Sequence, residues 1–247
     1  MDTSSENPTK LLLHACCGPC SLEPVRLERE AGFEPVIYYA NSNIHPDEEY
    51  ARRLETLAVW AEDERLEVIE GTYNPEAWEA TAGRIGQAAR DKYGVIVHEA
   101  NTDDSTAPED PAELARQARC RACYRLRFEE VAHYAADKGF EVIGTTLSVS
   151  PYQYTAIIQE ELERAAKAAG LSARFVDYRP YYPNATLRSR EAGMYRQNYC
   201  ACRFSDEEAQ VERELRKQAR KAAKAARKAA KAAALAAEQV AQSNQTI

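Results

Sequence analysis

Short apolar runs alternate with longer amphipathic segments along most of the chain. Leu11–His14 (LLLH), Pro35–Ala40 (PVIYYA), Leu66–Glu70, Glu141–Thr146 and Arg174–Asp177 are brief, rich in aliphatic or aromatic residues and bounded by turn-forming or polar positions. That is the pattern of strands covered on both faces. Between them, helical spacing of apolar positions predicts helices over about Ser21–Ala31, Asp47–Glu62 (with Pro46 at its opening), Pro75–Arg90, Ala122–Lys138, Tyr152–Ala169 and Ser189–Gln197. Strands and helices in alternation specify an α/β fold, a mostly parallel sheet with helices on both faces. Ligands of such sheets lie at the carboxyl ends of the strands, and LLLH runs straight into a group of cysteines.

The pattern changes twice. Tyr93–Pro111 is dense in acids (Glu99, Asp103, Asp104, Glu109, Asp110) and reads as a surface loop. From Ser205 onward the sequence LRKQARKAAKAARKAAKAAALAAEQ consists of strong helix formers, and Ser205 with Glu208 has the spacing of a capping box. One helix over about Asp206–Val240, without a broad apolar stripe and therefore in solvent, is expected. The division is a disordered lead-in (1–10), an α/β domain (11–205) and a helical tail (206–247).

A chain of 247 residues that is 45% apolar can build a core without disulfide staples, which frees its seven cysteines for chemistry. No run approaches the ~20 apolar residues of a membrane span, and Met1–Lys10 lacks the basic start and apolar run of a signal peptide. The expectation is a cytoplasmic protein without a membrane partner, in which thiols stay reduced and clustered cysteines read as metal ligands or catalytic thiols. The net charge of −7 conceals a split, since Arg216–Ile247 holds eight basic residues against Glu238, for +7, and the remainder carries −14. The tail reads either as a solvated extension or as a polyanion-binding arm.

All seven cysteines fall in three groups: Cys16, Cys17 and Cys20 in HACCGPCS, Cys120 and Cys123 in RCRACYR, and Cys200 and Cys202 in NYCACRFS. Cys-x-x-C on a turn lets two thiolates converge on one metal, so two such elements suit a tetrahedral zinc or an iron-sulfur cluster, and spacing alone does not choose between them. Cys16 and Cys17 can share one centre only if the chain bends, which Gly18–Pro19 permits. Cys200 and Cys202 would share a face of an extended segment, close enough for a strained, easily reduced small-ring disulfide. CGPC is also the tetrapeptide of thioredoxins, where a thiol of lowered pKa attacks disulfides. Three readings follow: a redox metalloenzyme, a thioredoxin-like thiol-disulfide oxidoreductase, and a zinc-stapled RNA-binding module. His14 reads as a hydrogen-bonded core residue, His45 as either structural or substrate-facing, and His98 and His133 as surface or helix positions without a role.

Arg116, Arg119, Arg121, Arg125 and Arg127 form a basic stretch around Cys123 and Tyr124, and further Arg and Tyr residues surround the last cysteine pair. Arg reads phosphates and aromatic faces stack unpaired bases, although each Arg taken singly could equally be helix-face solvation.

Together LHACCGPCS, YYANSNIHPDEEYARR, RCRACYRLR, IGTTLSVSPYQ, DYRPYYP and YRQNYCACRFS resemble the QueH family of epoxyqueuosine reductases, from about Leu11 to Ser205. The resemblance implies a nucleotide-hydrolase-like α/β fold of Rossmann type. It also implies a cytosolic enzyme that removes the epoxide oxygen from epoxyqueuosine in a tRNA anticodon, supplied with electrons by an unidentified donor. It implies a 4Fe-4S cluster on Cys16, Cys17, Cys120 and Cys123, and a redox-active pair at Cys200 and Cys202. Cys20 stands where some members carry another metal-binding side chain, such as Asp, which leaves room for an additional mononuclear iron. Where the family pattern has Lys after SPY, this chain has Gln153.

Overall fold

The computed structural model describes residues 8–98, 100 and 108–244, with side chains described through Lys231. Five parallel strands make one sheet in the order β3-β2-β1-β4-β5. They are β1 (Thr9–His14), β2 (Phe33–Tyr39), β3 (Val68–Glu70), β4 (Val142–Thr145) and β5 (Ser172–Arg174). The chain lays down β1, β2 and β3 on one side of β1, then returns to place β4 on the other, with His14 level with both Tyr38 and Thr145. That reversal makes the carboxyl ends of β1 and β4 the switch point where such sheets open a crevice.

The central strand is buried on both faces, as a run without polar alternation requires. Leu12 packs with Phe128, Val131, Ile158 and Leu162 beneath α5 (Pro111–Lys138) and α6 (Thr155–Ala168). Leu11 and Leu13 face the opposite way, toward Val25, Tyr50 and Leu57 of α1 (Gly18–Glu30) and α2 (Asp47–Asp63). α7 (Tyr182–Glu191) packs beside α1. After β3 a short link leads to α3 (Pro75–Trp78), which runs through one π-turn (Glu79–Gly83) into α4 (Arg84–Tyr93).

Several elements differ from the sequence expectation, among them the single helix expected over Pro75–Arg90, which is broken by the π-turn into α3 and α4. α5 starts at Pro111, eleven residues before Ala122, because the Asp110 side chain accepts the Ala112 N–H at 3.0 Å and Pro111 takes the first helical turn. α7 begins at Tyr182 rather than near Ser189, and it stops where Gly193 adopts φ 62°. β5 ends at Arg174, and Asp177 turns the chain by accepting the Arg179 backbone N–H at 3.0 Å. α8 (Ser205–Asn244) forms as one helix, but the capping box does not. The Ser205 hydroxyl donates to the Cys202 carbonyl at 2.8 Å, and Glu208 turns to Arg119. β1 begins at Thr9, while residues 1–7 of the expected lead-in and most of the acidic loop lie outside the described residues.

α5 and α6 are joined by Glu161, whose nearly inaccessible carboxylate accepts from Arg121, Arg125 and Arg164 at 2.8 to 3.1 Å. Burial raises its pKa, but the bonds to Arg125, Arg164 and Arg121 overcome that and hold it down at about 2. A depressed carboxylate stabilises the fold above its unfolded value and loses that contribution as pH falls toward 2. Glu161→Gln should lower stability by about 2 kcal/mol at pH 7, read from urea midpoints, with the gap to the parent narrowing between pH 4.5 and 2.

Candidate active site

β1 delivers Ala15, Cys16 and Cys17 to the switch point, and three hydrogen bonds fix that delivery. His14, fully buried, bonds the Thr145 hydroxyl through Nδ1 (2.9 Å) and the Ala40 carbonyl through Nε2 (3.2 Å). Burial, reinforced by the charge of Arg127, lowers its pKa to about 3, so the ring is neutral and Nε2 carries the proton donated to Ala40. Asn41 Nδ2–H donates to the Ala15 carbonyl at 2.8 Å. His14 is thus a strut between three strand ends, as expected of a core residue.

Cys17 is the extended N-cap of α1, with Gly18 and Pro19 opening the helix and Cys20 in its first turn. Gly18 packs closely: a Cβ there would lie 2.5 Å from the movable Met194 Cε and 3.3 Å from the Thr56 carbonyl. The bend brings the sulfurs of Cys16, Cys17 and Cys20 within 4.8 Å of one another. Burial opposes ionisation at all three. At Cys17 it is outweighed by hydrogen bonds from Cys16 and Cys20 and by the Arg53 charge, which hold that thiol well below its usual value. Cys16, donating to Cys17 at 3.9 Å, is pushed up to about 11, chiefly by that bond, and Cys20 also rises. The trio titrates as one unit whose first thiolate settles at Cys17.

Cys120 and Cys123 occupy one face of α5 instead of the expected turn. Cys120 packs against the same apolar cluster as Cys16, and Cys123 shares a cluster with Cys202, Trp78 and Phe204. Neither joins the close trio. Burial raises both, Cys123 to about 12. The indole N–H of Trp78 favours the Cys123 thiolate and is buried without another partner.

The third group departs from its expected shape. Ala201, completely buried, has φ 81°, so Cys200 and Cys202 flank a left-handed kink instead of sharing a face of an extended segment. Arg53 donates to the carbonyls of Cys200 and Tyr199, both at 3.3 Å. Gly86 of α4 makes room for Phe204 and Arg119, since a Cβ there would lie 2.4 Å from the Phe204 ring. All seven cysteines are free thiols.

What sequence reasoning missed is the counter-charge. Arg116, Cys120, Cys123 and Arg127 stand on one helical face at steps of four, three and four, a pattern hidden while α5 was started at Ala122. Arg119 and Arg127 are buried and so are not phosphate readers, while Arg121 and Arg125 remain partly exposed and are paired with Glu161. Arg53 pairs with Glu49 at 2.6 Å and Arg119 with Glu208 at 2.6 Å. Arg127 differs. It is 1% exposed, donates to the Ala40 carbonyl (3.1 Å) and to Asn41 Oδ1, and has no carboxylate within ion-pair distance among the described residues. Its charge acts on Cys16 and on Cys123.

A cleft of about 450 Å³ opens over this constellation, lined by Cys16, Cys20 and Cys200 together with Tyr152, Tyr182 and Arg196. Gln153, also in its wall, is held by the Tyr124 hydroxyl at 2.6 Å and presents no charge. Burial raises Tyr182 and Tyr199, so these cleft phenols stay protonated. His98, expected at the surface, is buried in the cleft wall, bonded to Glu113 at 3.0 Å and tilted against Tyr154. His45 lies tilted against Trp78 outside the lining, and His133 is exposed.

The family model described as epoxyqueuosine reductase QueH matches residues 11–94 and 92–208, most of the chain and every cysteine. The chain belongs to the epoxyqueuosine reductase QueH family. Proteins named epoxyqueuosine reductase QueH include one from Dehalococcoides mccartyi, 29% identical over 200 residues, covering 81% of this chain and 93% of the relative. Those from Histophilus somni and Thermotoga maritima are each 30% identical, over 79% of this chain and 72% and 89% of their own lengths. QueH membership makes the chain an oxidoreductase and sets aside the thioredoxin-like and zinc-stapled readings. Among the described residues no helix is long and apolar enough to cross a membrane.

Proposed function

We propose that this QueH protein reduces the epoxide of epoxyqueuosine in a tRNA anticodon to the alkene, and that it does so with an iron-sulfur cluster held by Cys16, Cys17, Cys120 and Cys123. The observation that supports the cluster is Arg127. A buried guanidinium without an ion-paired carboxylate costs several kcal/mol unless negative charge is supplied near it, and the groups whose charge couples to it are the sulfurs of Cys16 and Cys123 and, beyond ion-pair distance, Glu130. The Trp78 N–H, which among the described residues has no acceptor other than Cys123, points the same way, since a ligated Cys123 is a thiolate able to accept it. The trio of Cys16, Cys17 and Cys20 is tight enough for a single ion. Cys120 and Cys123 stand apart from it, in keeping with the larger inorganic core of a cluster. On this reading Cys20, left over from the four ligands and open to the cleft, holds an additional mononuclear iron.

The reaction takes up two electrons and two protons and releases one water as two C–O bonds break and a C=C bond forms. A cluster supplies electrons one at a time when bound. Cys200 and Cys202 give electrons in a pair, ending as a disulfide that a cellular reductant must reopen. Cys200 lines the cleft while Cys202 lies beneath it, so the pair connects the substrate space to the interior. Tyr152 and Tyr182 offer faces for unpaired bases, and Arg190 and Arg196 offer charge for the adjoining phosphates. Anaerobic iron and sulfide analysis of the purified protein tests the centre. Iron with matching acid-labile sulfide and broad visible absorbance is expected, and stoichiometric zinc in a colourless protein would refute it.

A further inference from the structure

The family match ends at Glu208, and the rest of α8 carries a pattern that the reductase chemistry leaves unused. Arg213, Arg216, Lys217, Arg220, Lys221 and Lys224 recur at steps of three, one, three, one and three, and Arg227, Lys228 and Lys231 continue the series. At 3.6 residues per turn all nine fall in one sector about 140° wide, running about 27 Å along the axis. The opposite side from Gln218 to Ala230 is Ala and Gln throughout, and every position from Arg213 to Lys231 is exposed. Only Glu214 opposes the series within it.

The stripe starts at the site. Arg213 and Arg216 line the cleft that holds Cys16, Cys20 and Cys200, and the same two residues line the groove continued by Lys217, Arg220, Lys221 and Lys224. Arg216 donates to the Tyr152 hydroxyl at 3.0 Å with its guanidinium over that ring, while Glu207 and Glu208 pin the first turn of α8 to Arg90 and Arg119. Residues 1–215 carry −14 in sum, so this track concentrates positive charge that the rest of the chain does not.

We infer that the basic stripe of α8 is a rail for the sugar-phosphate backbone of the tRNA substrate, holding the arm next to the anticodon loop while the loop enters the cleft. The inference rests on the function proposed above for that cleft. A rigid, linear row of charges leading out of the active site matches a linear polyanion. A membrane surface fits less well, because the reverse face between Arg213 and Lys231 carries one bulky apolar side chain, Leu215 at its start, and from Gln218 to Ala230 only Ala and Gln.

The test replaces Lys217, Arg220, Lys221, Lys224, Arg227, Lys228 and Lys231 by Gln in the full chain. Gln keeps the helix propensity, and a companion variant with Arg220→Lys and Arg227→Lys keeps the charge. The probes are an unmodified full-length tRNA transcript, a short anticodon stem-loop carrying epoxyqueuosine, and phosphatidylcholine–phosphatidylserine vesicles. With about 0.7 to 0.9 of log–log salt slope per neutralised phosphate, the seven-Gln variant should lose about five from the slope and at least about a hundredfold in transcript affinity at low salt. The Lys variant should bind as the parent does, and all three proteins should reduce the stem-loop at equal rates when it is saturating. Unchanged transcript affinity and slope would overturn the rail, as would vesicle binding that depends on the stripe when transcript binding does not. If the parent binds the transcript through the stripe yet reduces no stem-loop, the rail stands and the proposed reaction falls.

Discussion

Arg127→Met will yield a folded protein that loses iron about ten to a hundred times more readily than the parent, the range typical for partners that orient or balance metal ligands. The guanidinium holds the Ala40 carbonyl and Asn41, and through Asn41 the Ala15 carbonyl that precedes Cys16. Its removal therefore loosens the turn that presents Cys16 and Cys17 while deleting a charge that favours ionisation of Cys16 and Cys123. The fold should survive, because no carboxylate in ion-pair distance is left stranded, and the loss should stay within about 1 to 3 kcal/mol for the unpaired acceptors. Chelator-induced iron release, followed by absorbance under anaerobic conditions, is the measurement. Release at the parental rate would show that the buried charge serves the core alone.

Cys200→Ser and Cys202→Ser will leave iron content and visible absorbance intact and stop the reaction at or below about one product per chain, because the two-electron store is gone. Ser preserves volume and polarity, so the kink at Ala201 and its hydrogen bond from the His45 N–H (2.9 Å) should persist. Product formed with limiting and with excess dithionite separates the two roles of the pair. Arrest under both conditions places Cys200 or Cys202 in direct contact with the reaction. Recovery with excess reductant assigns them to reloading, and repeated turnover at the parental rate with limiting reductant would remove them from the mechanism.

The sheet was readable because its strands are short, continuous apolar runs separated by strong turn signals, and β1 needs burial on both faces. The cysteine groups were readable from clustering alone. Their surroundings were not. The acids around Asp110 look like a loop, yet Asp110 and Pro111 are a helix start, and missing it concealed the face that aligns Arg116, Cys120, Cys123 and Arg127. The burial of Arg127 on that face points it at Cys16 and Cys123 and away from solvent phosphate. The left-handed Ala201 had no signal at all, since an alanine there is held by burial and by the Arg53 bonds on either side of Cys200, not by its own preference. Glu208 was matched to Ser205 by spacing, but two arginines from α5 compete for it and win, a tertiary effect that local sequence does not carry.

The account turns on one reaction, and the most direct measurement is mass spectrometry of nucleosides from epoxyqueuosine-containing tRNA incubated with the anaerobically reduced protein. Loss of one oxygen mass from the modified nucleoside, dependent on intact Cys16, Cys17, Cys120 and Cys123, is the predicted result. An unchanged nucleoside in the presence of a fully loaded iron-sulfur centre would contradict it.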